Sequence, residues 1–150
     1  NGANVLLWAT KSRNLECVKT ILALYPEAQQ LQMVSMYDGE KTVLHQAAVS
    51  GNSELLTYLL HLFPESQRLE AVSARDAEGE NVLHWAVCSR EVASVKTILH
   101  SLPISQRLEV VNLQTFRTQR TALTKAASSG ACHSRFVARI TSFECCELAR

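Results

Sequence analysis

The side chains able to do chemistry in this 150-residue chain fall into three groups. His45 and His84 stand 39 residues apart inside the similar stretches TVLHQAA and NVLHWAV; Cys132, His133, Cys145 and Cys146 gather toward the end; Trp8 and Trp85 are the two tryptophans. The first two groups suggest zinc, which takes thiolate and imidazole ligands in a tetrahedron. Neither spacing suits it. Imidazoles one structural repeat apart are separated by about a helix-pair width, too far to share an ion at roughly 2.0–2.1 Å from each nitrogen. Adjacent cysteines rarely turn toward one ion together, and no pair of cysteines has the short spacing of a zinc site. A Cys132–His133 nucleophile pair fails as well, because neighbouring helical residues point about 100° apart and no third group orients the base. There is no phosphate-cradling Gly-rich loop and no Gly-x-Ser-x-Gly elbow. The expectation is therefore a chain without catalytic residues, metal or cofactor. The tryptophans remain. Each can bury a large apolar area while keeping one N–H donor, which suits an interface anchor as well as ordinary helix packing.

What must position these groups is a repeat. The stretch Asn81 to Val87 returns as Asn4 to Thr10, Thr42 to Ala48 and Thr121 to Ala127, at intervals of 38, 39 and 40 residues. A period of that size signals stacked supersecondary units. Each stretch opens on an N-cap residue, Asn4, Thr42, Asn81 or Thr121, followed by a short helix whose small alanines admit a close neighbour. Gly51 and Gly130 then supply a break at a place where a helix end often needs positive φ; Arg13 and Arg90 stand there in the other two repeats, so that turn is strained or differently built. A second helix follows on the stripes Val18, Ile21, Leu22; Leu55, Leu56, Leu59, Leu60; and Val95, Ile98, Leu99, which read as core.

The chain's three prolines, Pro26, Pro64 and Pro103, fall at one repeat position. Proline is tolerated at the first position of a helix, so a third short helix is predicted to start at each, with apolar pairs Leu31/Val34, Leu69/Val72 and Leu108/Val111 and with Gln30, Arg68 and Arg107 between proline and leucine. The segments 38–41 and 76–80 read as hairpin-like loops. The third loop, 114–120, is basic and has no glycine. The last repeat loses register after Gly130, its apolar residues Phe136, Val137, Ile140 and Phe143 suiting a divergent C-terminal cap. The repeats are thus placed at about residues 2–37, 38–75, 76–113 and 114–150 of a single domain.

Composition agrees with a folded protein: 47% of residues are hydrophobic and 19% charged. No apolar run approaches the roughly 18 to 20 residues needed to span a bilayer, and no secretory leader opens the chain. It starts at Asn1, already at the edge of a repeat, which suggests a piece of a longer protein. Residues 38–99 carry nine acids against five Lys or Arg, and residues 101–150 carry seven Lys or Arg against three acids. That density is too low for a dedicated nucleic-acid footprint. Five cysteines without framework spacing fit a reducing, cytoplasmic compartment, with Cys17 and Cys88 as small hydrophobes inside helices.

These segments resemble ankyrin repeats, whose pattern runs Asp-x-x-Gly-x-Thr-Pro-Leu-His-x-Ala-Ala, Gly, then Val-x-x-Leu-Leu. Asp76, Gly79, Leu83, His84, Ala86, Val95, Ile98 and Leu99 match in the third repeat, and Thr42, Leu44, His45, Ala47, Ala48, Gly51, Leu59 and Leu60 in the second. The family's helix-opening proline is Val5, Val43, Val82 or Ala122 here, and its histidine is Leu7 and Thr124 in the outer repeats. The resemblance implies an all-α solenoid of helix-turn-helix repeats with short hairpin loops, here with an extra short proline-led helix in each repeat. It also implies that His45 and His84 tie adjacent repeats together. The function implied is non-enzymatic protein binding by a monomer through its concave face and loop tips. Trp8, Gln46 and Trp85 on the first helices, with Glu40, Lys41, Glu78, Glu80, Arg117 and Arg120 on the loops, would meet the partner. The proline-led segments are similar to those of ankyrin proteins that intracellular bacterial pathogens deliver into host cells, which implies an effector with a host-protein partner in the host cytosol. Two other readings stand beside this one: the recognition segment of a larger enzyme or effector, and an RNA or nucleotide binder using the basic third loop.

Overall fold

The computed structural model describes residues 5–116 and 118–128. Among them are ten helices in a repeating order of three. The first repeat holds α1 (Val5–Lys11), α2 (Leu15–Ala23) and α3 (Glu27–Ser35); the second α4 (Val43–Ser50), α5 (Ser53–Leu62) and α6 (Glu65–Ser73). The third holds α7 (Val82–Cys88), α8 (Val92–His100) and α9 (Ile104–Asn112), and α10 (Ala122–Ser128) opens the fourth. The first helices stack in the order α1, α4, α7, α10, and α5 packs on α8 beside them.

Local chemistry explains each boundary. Asn14 and Asn52 cap α2 and α5 by accepting from the backbone N–H of Cys17 and Leu55 at 3.1 and 3.0 Å. Asn81 accepts from His84 N–H at 3.0 Å, and Thr121 Oγ1 from Thr124 N–H at 3.3 Å, satisfying donors that a helix start leaves open. Between first and second helices the turn needs one left-handed residue: Gly51 has φ 73°, and Arg13 and Arg90 reproduce it at 59° and 62°. The turn in those repeats is thus the same one, built with a residue that pays about 1–2 kcal/mol for the conformation. Ala47, Ala48 and Ala86 are fully buried, which lets α4 and α7 approach; Leu22, Leu55, Leu56, Leu59, Leu60 and Ile98 fill the layer behind them.

The proline-led helices start one residue later than predicted. Pro26, Pro64 and Pro103 are N-caps, with ψ of 150°, 147° and 150°, and their carbonyls accept the first helical bonds from Gln29, Gln67 and Gln106 at 2.8, 2.9 and 3.0 Å. Proline's missing N–H costs nothing at that place either. The Gln or Arg that follows each proline also has a role. Gln30 Nε2 donates to the Tyr25 carbonyl at 2.8 Å, Arg68 Nε to Phe63 at 3.2 Å and Arg107 Nε to Leu102 at 3.1 Å. Each side chain satisfies the carbonyl just before the proline. Val34, Val72 and Val111 are buried as expected, Leu31 and Leu69 are half-buried, and Leu108 is exposed.

The loops are hairpins held by their first residue. Asp38 Oδ1 accepts from the N–H groups of Glu40 and Lys41 at 2.9 and 2.8 Å, and Asp76 Oδ1 from those of Glu78 and Glu80 at 2.9 and 2.8 Å. In the third loop Thr115 takes that role, its Oγ1 accepting from Arg120 N–H at 3.2 Å, and Gln119 supplies positive φ at 49°. The tips are joined to each other: Ala77 N–H donates to the Glu40 carbonyl and Phe116 N–H to the Glu78 carbonyl, both at 3.3 Å. Gly79, at φ 81°, makes the second joint possible, since a Cβ there would lie 2.6 Å from Phe116 N. One further expectation changes. Cys17 and Cys88 are exposed thiols and not core residues, because each points off its helix on the face away from the buried stripe. Asn4, Arg117, the C-terminal cap and the cluster of Cys132, His133, Cys145 and Cys146 lie outside the described residues.

Candidate functional site

Residues at one repeat position on α1, α4, α7 and α10 form a row: Trp8, Gln46, Trp85 and Lys125. Stacking gives them a common face, but their surroundings differ. Trp8 is 64% exposed, with Lys11 Nζ 5.2 Å from its ring centre. Gln46 is half-buried. Trp85 is enclosed by three repeats. Its Nε1–H donates to Asp76 Oδ2 at 2.7 Å, its ring meets the His45 ring edge-on at 6.5 Å, and Lys41 and Lys125 place their ammonium groups 4.9 and 5.7 Å from its centre. The Glu80 carboxylate pairs with Lys125 beside it. An indole between two cations, with its donor on a carboxylate, satisfies both the quadrupole and the polar edge of the ring.

Lys41, Glu80 and Trp85, expected as separate contact residues, therefore belong to one network, completed by Asp76, Lys125 and His45. Nothing in the spacing of a repeat shows such convergence. It depends on which loop overhangs which helix. The other expected residues lie on the tips: Glu40 and Glu78 are exposed and give their carbonyls to the next loop, and Arg120, also exposed, reaches Ser128 Oγ at 3.1 Å. Phe116 was missed. It is 62% exposed on the third loop, with the Arg75 guanidinium stacked 5.0 Å from its ring and tied to the Gln114 carbonyl at 2.8 Å.

Beneath the tips, the two histidines fasten each first helix to the following loop. His45 Nε2–H donates to the carbonyls of Ala74 and Glu80 at 3.1 and 3.3 Å while Nδ1 accepts from Thr42 N–H at 3.2 Å. His84 Nε2–H donates to the Arg120 carbonyl at 3.0 Å, and Asn81 Nδ2 reaches the Val110 carbonyl at 3.2 Å. Burial pushes both imidazoles below their ordinary pKa, against the pull of Asp76 and the carbonyls on His45 and of the Arg120 carbonyl and Glu80 on His84. The backbone N–H of Lys41 holds the Asp38 carboxyl below its usual range, the opposing effect of burial being smaller. Among the described residues no three His, Cys, Asp or Glu side chains are grouped to hold a metal, and no helix is long and apolar enough to cross a membrane.

Comparison with known proteins places this geometry. No curated protein matches the chain. Many solved structures match in fold, among them the following two. A chain in the crystal structure of the yeast ribosomal protein Rps3 in complex with its chaperone Yar1 is 19% identical, with a TM-score of 0.69 over 85% of this chain and 83% of that one. The ankyrin repeat domain of Bcl-3, a member of the IkappaB protein family, is 20% identical, with a TM-score of 0.70 over 88% of this chain and 54% of that one. A family model described as ankyrin repeats in three copies matches residues 6–110, and with the caps, histidine ties and joined loops described above, this chain belongs to the ankyrin repeat family.

Proposed function

We propose that the chain is a non-catalytic protein-binding module whose partner lies across the first-helix row and the loop tips. The observation that carries this reading is Trp8. At the same repeat position Trp85 has its donor bonded and its ring flanked by two cations, whereas Trp8 leaves most of its ring in water on a regular helix. A large aromatic held on a rigid element loses little conformational freedom on binding and gains much from desolvation. The exposed tips bearing Glu40, Glu78 and Arg120 would extend the contact to the later repeats, and their order, acidic then basic, would steer a partner of complementary charge. Membership of a family built for protein contact supports the reading. The resemblance of the proline-led segments to secreted ankyrin proteins supports the finer proposal of a host protein met in a reducing cytosol by a monomeric effector.

Affinity capture from host-cell lysate tests this with wild type, Trp8→Ala and Glu54→Ala, the last altering an exposed carboxylate on α5 away from the row. Wild type and Glu54→Ala should capture the same protein, and Trp8→Ala should bind it at least about 30-fold more weakly, the loss typical of an anchor residue. Equal affinity of the Trp8→Ala variant for the captured protein would refute the proposed face.

A further inference from the structure

A cavity of about 270 Å³ opens where α5, α6 and α8 meet, and its ionisable lining among the described residues consists of Arg68, His61 and His100. Among the described residues no carboxylate lines it. Arg68 Nε–H is committed to the Phe63 carbonyl at 3.2 Å, which fixes the guanidinium and leaves its two terminal amino groups for a ligand. His61 Nδ1–H donates to the Thr57 carbonyl at 2.7 Å, leaving Nε2 available. The hydroxyls of Thr57 and Ser101 donate to the carbonyls of Ser53 and Ile98, both at 2.7 Å, so they present lone pairs and no hydrogen to the cavity. The lining thus offers a planar cationic fork together with hydroxyl acceptors.

We propose that this cavity is a binding site for a phosphate group, either free or on a phosphorylated side chain. The guanidinium fork matches two phosphate oxygens, and a P–OH or a neighbouring hydroxyl can donate to Thr57 and Ser101, which a carboxylate cannot do. His61 and His100 line the cavity from the last turns of α5 and α8. The Arg–His pair recurs at the same repeat positions as Arg107 and His100 in the third repeat, but not in the first. Between the first and second repeats the places of Arg68 and His61 are taken by Gln30 and Ala23, so the guanidinium and the imidazole are both absent there. The proposal does not depend on the partner-binding face.

That difference also supplies the test. Arg68→Gln keeps the carbonyl bond, as Gln30 does at 2.8 Å, while removing the charge; His61→Ala copies Ala23. Inorganic phosphate, O-phosphoserine and acetate are titrated into the full chain at constant ionic strength, with binding followed by calorimetry and by backbone amide shifts. Saturable phosphate binding centred on Arg68 and Thr97 is expected, weakened roughly 10- to 150-fold by Arg68→Gln, the loss of charge-assisted hydrogen bonds, and more modestly by His61→Ala. Tighter binding of O-phosphoserine than of inorganic phosphate would identify a phosphorylated side chain as the ligand, and the reverse a free phosphate. Unchanged phosphate binding in both variants, equal binding of acetate, or no saturable binding would overturn the site and leave Arg68 as the partner of the Phe63 carbonyl alone.

Discussion

The same substitution at the same repeat position should have opposite consequences in the first and third repeats. Trp85→Phe removes the indole N–H that Asp76 Oδ2 accepts at 2.7 Å, and Asp76 is only 6% exposed, so water cannot fully replace the donor. The other oxygen of that carboxylate shapes the second loop through Glu78 and Glu80, so the loss is felt by the backbone as well. Hydrogen bonds to charged groups contribute about 1.5–3 kcal/mol, and the weaker attraction of a phenyl ring for Lys41 and Lys125 adds up to roughly 1 kcal/mol. Trp8→Phe touches an exposed ring and should change stability by less than about 0.5 kcal/mol. Urea unfolding measures both, and because the chain has two tryptophans, each variant retains one as its own fluorescent reporter. A loss of about 2 kcal/mol for Trp85→Phe corresponds to a Tm lowered by roughly 4–8 °C for a chain of this size. If the two variants lost equal stability, or if Trp85→Phe cost less than about 0.5 kcal/mol, Trp85 would not be the tie between repeats described here.

Two further outcomes follow from the same geometry. Burial lowers the folded-state pKa of His45 and His84 beneath the unfolded value, so the unfolded chain takes up their protons first; stability is fully present above about pH 6.5 and falls by up to roughly 1.4 kcal/mol per histidine per pH unit as pH drops toward the folded values, and a flat urea midpoint between pH 7.5 and 5.5 would contradict this. Replacing Arg90, at φ 62°, by the glycine found at Gly51 removes about 1–2 kcal/mol of left-handed strain and adds about 0.4–1 kcal/mol of unfolded-state entropy, so Arg90→Gly should stabilise by about 0.5–1 kcal/mol; a destabilised variant in thermal unfolding would show that the turn is not strained.

Periodicity made the array legible because a stacked unit must bury the same positions each time. The caps Asn81 and Thr121 and the stripes of α2, α5 and α8 follow from that constraint, while the histidine ties came from the resemblance to ankyrin repeats. Three features did not follow. A helical setting suggests small hydrophobes at Cys17 and Cys88, yet a helix has an outer face and both occupy it. Pro26, Pro64 and Pro103 sit one position earlier than expected, because a proline that lacks an N–H suits the N-cap as well as the first turn. Trp85 could not be told from Trp8 by position, since a repeat position specifies neighbours within a unit and says nothing of the loops overhanging it from the next.

Those overhanging loops bear on how the proposed face would bind. The second and third tips are secured three ways: by a carboxylate or hydroxyl near the start, by a histidine from the preceding repeat, and by a backbone bond to the adjoining tip; the first, preceded by Leu7, has the carboxylate of Asp38 and the backbone bond. Ordering a flexible loop on association costs free energy that must be recovered from contacts, and side chains already held cost less. The chain departs from its family's pattern at the proline that usually opens the first helix, where Val43 and Val82 stand fully buried, so apolar packing replaces proline's stiffness. Rigidity in these tips comes from cross-repeat bonds and not from local backbone restriction. A perturbation at His84 or Asp76 should therefore reach the tips without touching a partner, so that on the proposed face stability and recognition would share the same residues.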